Sequence, residues 1–168
     1  MGDRIEAGTF CVVAALTKGQ LLIKNFDSNL IQTELNLLKK IGSKIKTFKK
    51  EIYIKGPNKI KKINNLVTKE YPNFPTDLQA QFMVLLCKAS GRSTITENIF
   101  ENRFMHVAEL RRLGAKITIK ENKAIIEGNT EFLAAELMSS DLRASVALVL
   151  AAIVAKGQSV INRIYHLD

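Results

Sequence analysis

The chain has 168 residues, 46% of them hydrophobic and 24% charged, which is the composition of a soluble globular protein with one substantial core or two small ones. No charged and apolar leader opens it. Its longest uncharged apolar run, Ala144 to Ala155, is twelve residues long, against the about 20 needed to span a bilayer, so neither a targeting signal nor a membrane partner is expected. The net charge of +9 is local: eleven lysines and one acid lie between Lys39 and Lys69, and the rest of the chain is close to neutral. In that region isoleucine alternates with lysine (KKIGSKIK, KIKKI) and arginine is absent. Solvated outer strand faces with inward isoleucines explain this better than a nucleic-acid surface, which would add arginine forks and stacking aromatics.

The opening, MGDRIEAGTF, reads as a polar lead into an apolar run from Phe10 to Leu16. A break at Lys18-Gly19 and a short strand, Leu21 to Asn25, follow. Leu30 to Ile41 has helical spacing, with Gly42 placed as a C-terminal cap. Two strands, Lys44 to Phe48 and Glu51 to Lys55, close at Gly56-Pro57. The same order then returns: an apolar helix from Leu78 to Ala89, a strand from Ser93 to Glu97 and an amphipathic helix from Phe104 to Leu113. Strands at Lys116 to Lys120 and Ala124 to Glu127 end this copy at Gly128. Gly19 to Gly42 and Gly91 to Gly114 are each 23 residues, and Gly42 to Gly56 and Gly114 to Gly128 are each 14. This is an internal repeat.

A third copy opens with DLRASVALVLAAIVAKG from Asp141 and a strand from Ser159 to Tyr165, then stops part-way, so the chain is expected to be a fragment. The repeats are placed at about 9–57, 74–128 and 139–168 of a single domain. The first helix of each is apolar nearly all round and belongs in the interior. Three units about a pseudo-threefold axis, helices inside and strands outside, give an α/β (α+β) fold; an open solenoid is the alternative.

Candidate chemistry sits in polar insertions of the second and third copies. In FPTDLQAQF, Phe74 to Phe82, Pro75 fixes an extended entry to an apolar helix. Thr76 or Asp77 can cap that helix, or Asp77 can serve as a proton acceptor held at the lip of the core. Arg143 lies in the first turn of the third copy's helix, where a cation is disfavoured unless it and the helix end hold an anion together. A salt bridge to Asp141 or a neighbouring acid is the other reading. Arg103, in the polar segment ENIFENRFMH before a helix, is a candidate for a second anion contact. His106 is expected to be packed rather than catalytic, and with His166 it makes no metal site. Cys11 and Cys87 read as buried thiols.

Together FPTDLQAQF, ENIFENRFMHVAELRRLGA, SDLRASVALVLA, RIYHLD and the opening DRIEAGTF resemble the UDP-N-acetylglucosamine 1-carboxyvinyltransferases, enolpyruvyl transferases of bacterial peptidoglycan synthesis. The resemblance covers nearly the whole chain. It implies an inside-out barrel of βαβαββ units, the third truncated, in one of two domains of a cytoplasmic bacterial enzyme. It also implies transfer of the enolpyruvyl group of phosphoenolpyruvate to the 3′-hydroxyl of UDP-N-acetylglucosamine without metal or organic cofactor. Residue by residue, it makes Asp77 the general base and places Thr76, Ile99 and Phe100 on the nucleotide sugar. Arg143, with Asp141 beside it, and Arg103 fall on the phosphoenolpyruvate side, and Glu101 and His166 lie near the site.

There are departures. The family's loop cysteine and its phosphate-clamping lysine and arginines belong to the other domain. Ala134 stands where a glycine usually precedes the DLRA loop, and RIYHLD, usually followed at once by an arginine, is where the sequence stops, at Asp168. The chain is therefore expected to be inactive alone and to need the second domain as partner. The remaining readings are a non-catalytic nucleotide-sugar-binding or structural fragment and, more remotely, a basic nucleic-acid module.

Overall fold

The computed structural model describes residues 2–165. The chain opens not with a polar lead but with helix α1 (Arg4–Leu16), because Asp3 accepts hydrogen bonds from the Ile5 and Glu6 backbone N–H groups at 2.7 and 3.3 Å and starts the helix six residues before the apolar run. Strand β1 (Gln20–Lys24), helix α2 (Gln32–Lys40) and strands β2 (Lys44–Phe48) and β3 (Glu51–Lys55) complete the first copy. They form an antiparallel sheet in the order β1-β3-β2.

The second copy contains β4 (Leu66–Val67), α3 (Gln79–Cys87), β5 (Ser93–Thr96), α4 (Val107–Arg112), β6 (Lys116–Lys120) and β7 (Lys123–Glu127). Its order is βαβαββ, and β5-β7-β6 reproduces the pairing of β1-β3-β2. Strand β4 adds to β5 in parallel. The third copy runs β8 (Glu136–Met138), α5 (Leu142–Ile153) and β9 (Val160–Asn162), with β8 and β9 parallel as β4 and β5 are. Neither β4 nor β8 stands out in the sequence; each is two or three residues long and exists because a parallel partner lies beside it.

The helices lie inside. All nine residues of α3 are buried, and α1 and α5 pack against it. The three sheets cover this helical centre, giving an α/β fold. Ile52, Ile54 and Ile60 point inward while Lys44, Lys46, Lys55, Lys59, Lys61 and Lys62 face water, so the Ile/Lys alternation marks the outside of the fold. Residues 59–62 keep the alternation without forming a strand beyond a single bridge from Lys61 to Ser90.

Repeat geometry extends to the backbone. Gly42 and Gly114 both end an amphipathic helix in the left-handed region, at φ +111° and +99°. Gly56 and Gly128 both pass so close to the end of an interior helix that an added Cβ would collide with the carbonyl of Ala14 or Ala89 respectively. The strand ends are thereby locked on to α1 and α3.

Within α3, Phe82 is fully buried and meets Phe74 edge-on, with ring centroids 4.8 Å apart. Phe82→Ala is expected to cost about 3–5 kcal/mol in urea denaturation, since the enclosing sheets and helices leave the cavity no room to collapse.

Candidate active site

Three segments meet at one end of the interior helices: the entry to α3, the loop from Asn98 to His106, and the N-terminus of α5. Pro75 is extended (φ −77°, ψ 143°) and leads into a turn of 3-10 helix at Thr76–Leu78. Thr76 and Asp77 are already inside that turn, and neither side chain caps a helix. The capping reading of these two residues is thus overturned, and their side chains are used elsewhere.

Asp77 binds Arg143. The guanidinium donates from Nε to a carboxylate oxygen at 2.7 Å, and its terminal Nη2 makes an ion-pair contact with the same oxygen at 2.5 Å. The pair is partly exposed, so solvent screens it, yet it is held by rigid helix ends on both sides. Asp141, which could also have paired with Arg143, is occupied as the N-cap of α5, accepting from the backbone N–H groups of Arg143 and Ala144 at 2.9 and 3.0 Å. Arg143 therefore leans away from its own helix end toward the neighbouring acid.

Thr76, Glu101, Arg103, Asp141 and Arg143 line one cavity of about 310 Å³, together with Gln79 and His106. Arg143 also walls a neighbouring cavity of about 410 Å³, which Asp77 and Gln81 share with the first turns of α1. On the far side, Phe100, Glu101 and Arg103 line a third, of about 650 Å³. Arg103 stacks over the Phe100 ring at 4.2 Å from its centroid. Ile99 is half-buried and joins the group through its backbone N–H, which donates to Glu97 at 2.9 Å. His166 lies outside the described residues.

Sequence reasoning did not single out Glu97 or Gln79. Gln79 is buried with its side-chain N–H₂ unpartnered among the described residues, in the wall of the smaller cavity. His106 is there too, buried and with Nε2 unpartnered. Burial pushes its pKa down to about 4, against a smaller upward pull from Asp141, so the cavity presents a neutral imidazole at pH 7. Neither thiol lines these cavities, and burial raises Cys11 and Cys87 to about 12, which keeps them protonated.

In chemical terms the site offers one carboxylate engaged by one arginine, a second arginine on an aromatic face, and neutral buried donors between them. That set suits a ligand with both hydroxyl and anionic groups. The chain matches the EPSP synthase (3-phosphoshikimate 1-carboxyvinyltransferase) family over residues 1–168. It belongs to that family. Among its relatives are proteins named UDP-N-acetylglucosamine 1-carboxyvinyltransferase. One, from Pelagibacter ubique, is 67% identical over 168 residues, covering 100% of this chain and 40% of that protein. Another, from Helicobacter pylori, is 51% identical over 166 residues, covering 99% and 39%. This EPSP synthase-family chain thus spans about 40% of the length of the relatives it matches.

Its fold is shared with solved structures of other proteins. The enolpyruvyl transferase NikO from Streptomyces tendae superposes with a TM-score of 0.90 at 23% identity, over 99% of this chain and 40% of that one. EPSP synthase from Acinetobacter baumannii gives 0.75 at 21%, over 97% and 41%.

Two outcomes follow from the local physics. Asp141→Ala removes two charge-assisted capping bonds and is expected to lower stability by about 1 kcal/mol in thermal denaturation. The unfolded chain takes up a proton on His106 near an ordinary imidazole pKa, whereas the folded chain does so only near 4. Stability from this group is thus complete above about pH 6.5 and is lost as pH falls toward about 4. Urea midpoints measured against pH should fall across that window, and His106→Gln should flatten the fall.

Proposed function

We propose that the chain forms part of a UDP-N-acetylglucosamine 1-carboxyvinyltransferase, acting in peptidoglycan synthesis in a bacterial cytoplasm. The enzyme moves the enolpyruvyl group of phosphoenolpyruvate to the 3′-hydroxyl of UDP-N-acetylglucosamine and releases phosphate. The observation that carries this reading is the Asp77–Arg143 pair, whose arginine lines one cavity together with Arg103 and Thr76. The names of the relatives supply UDP-N-acetylglucosamine, and phosphoenolpyruvate is what the motif resemblance implies.

In this reading Asp77 takes the proton of the sugar hydroxyl as its oxygen attacks C2 of phosphoenolpyruvate, while C3 gains a proton. Loss of that added C3 hydrogen as a proton then expels phosphate and restores the double bond. Arg103 and Arg143 hold the anionic end of phosphoenolpyruvate through charge-assisted hydrogen bonds. In the free chain Arg143 engages Asp77 through one hydrogen bond and an ion-pair contact. An incoming anion competes for that guanidinium, and releasing the carboxylate makes it available as a base at the moment the second substrate arrives. Thr76, Ile99 and Phe100 border the nucleotide sugar, and Asp141 acts by fixing the α5 end that carries Arg143. The partner is the remaining length of the same enzyme, whose closure excludes water.

The test is phosphate release from phosphoenolpyruvate plus UDP-N-acetylglucosamine. The chain alone should be silent. Mixed with a separately made chain carrying the rest of the enzyme it should turn over, and Asp77→Ala should lower kcat by about 10²–10⁴-fold. Turnover that survives Asp77→Ala would remove the base from this residue.

A further inference from the structure

Glu97, at the end of β5, is a carboxylate only 3% exposed, and no lysine, arginine or histidine pairs with it among the described residues. A buried charge is costly unless its lone pairs are satisfied. Here neutral donors from three segments do that. Oε1 accepts from Thr68 Oγ1 at 2.8 Å, from the Ile99 N–H at 2.9 Å and from the Phe100 N–H at 3.3 Å. Oε2 accepts from Thr76 Oγ1 at 2.8 Å. Thr68 in turn accepts from the Asn98 N–H at 2.9 Å, so three consecutive loop amides are tied to one carboxylate, directly or through that threonine.

An ionised carboxylate has only acceptor oxygens, which is what four converging donors require; a glutamine would turn an N–H₂ group toward one of them. Two arms leave this hub. One runs through Thr76 to its neighbour Asp77 and the Arg143 pair. The other runs through the Phe100 backbone to the Phe100 ring, on which Arg103 stacks.

We infer that Glu97 is a positioning residue: its carboxylate sets the Thr76 turn and the Asn98–Phe100 loop at the spacing that the nucleotide sugar needs between them. The inference rests on the proposed reading for the identity of that ligand, but the clamp itself is independent of it.

Two readouts test it. In the 168-residue chain, Glu97→Gln should move the Ile99 and Phe100 amide protons upfield in ¹⁵N-correlated spectra, because a charged acceptor is replaced by a neutral one. In the enzyme reconstituted with its remaining length, the same variant should raise KM for UDP-N-acetylglucosamine about tenfold, the weight of one hydrogen bond to a charged group, with the melting temperature nearly unchanged. Thr68→Val, which removes another donor to Glu97 from a residue outside the cavity, should reproduce the KM effect and Thr68→Ser should restore the wild-type value, which decides the matter if Glu97→Gln does not fold. An unchanged KM in Glu97→Gln, or in Thr68→Val, overturns the inference. If the unaltered enzyme does not use UDP-N-acetylglucosamine, the substrate reading fails by itself. The amide shifts then decide the clamp, and unmoved Ile99 and Phe100 resonances would overturn it.

Discussion

Helix α3 has no polar side to offer water: its nine residues are all buried, from Gln79 to Cys87. A helix of this kind is stable only when enclosed, because its apolar surface gains nothing at a water boundary. The remaining architecture follows from that requirement. Helices α1 and α5 close two sides, and the strands of the second copy close another through β5 and β7. The close approach of Gly128 to the Ala89 carbonyl shows how tightly the sheet is drawn on to the end of the helix. Enclosure also fixes the two ends of α3 in space. The N-terminal end is where the chain emerges from the core, and the side chains at that emergence can be both rigidly held and partly wet.

This explains why the polar residues collect where they do. Thr76 and Asp77 precede the first turn of α3, and Arg143 lies in the first turn of α5. Two interior helices packed side by side bring these heads together, so residues 66 positions apart form the central ion pair. The Arg143 cation lies at the helix end where the backbone dipole is positive, and Asp77 and the Asp141 cap offset that cost. In the proposed function a ligand's anionic group competes with Asp77 for this guanidinium. Neutral His106 and the Gln79 amide bring no charge of their own to the cavity that Glu101, Arg103, Asp141 and Arg143 also line.

The departures from expectation have a common origin. Helix α1 starts at Arg4 because Asp3 caps it, a signal present in the sequence but outweighed by the polarity of the first ten residues. The cap proposed for Thr76 or Asp77 was a sound local reading that the 3-10 turn defeats, since it moves both residues inside the helical segment. Strands β4 and β8 have too few residues for periodicity to register, and only their parallel neighbours define them.

By itself the sequence determined the repeat, through glycines at matched intervals of 23 and 14 residues, and the inside–outside order, through an apolar helix and Ile/Lys-alternating strands. Both are local: a turn needs its glycine and a buried face needs its apolar period, whatever lies elsewhere in the chain. It also presented the site residues as separate motifs. Only the tertiary structure decided their partners. That Arg143 turns to Asp77 and leaves Asp141 to the cap depends on how two helices pack. That Glu97 gathers Thr68, Thr76 and the loop amides depends on three segments meeting at the end of β5. Hydrogen bonds between distant segments carry no periodicity and no spacing rule, so they become legible only once the chain has closed around its central helix.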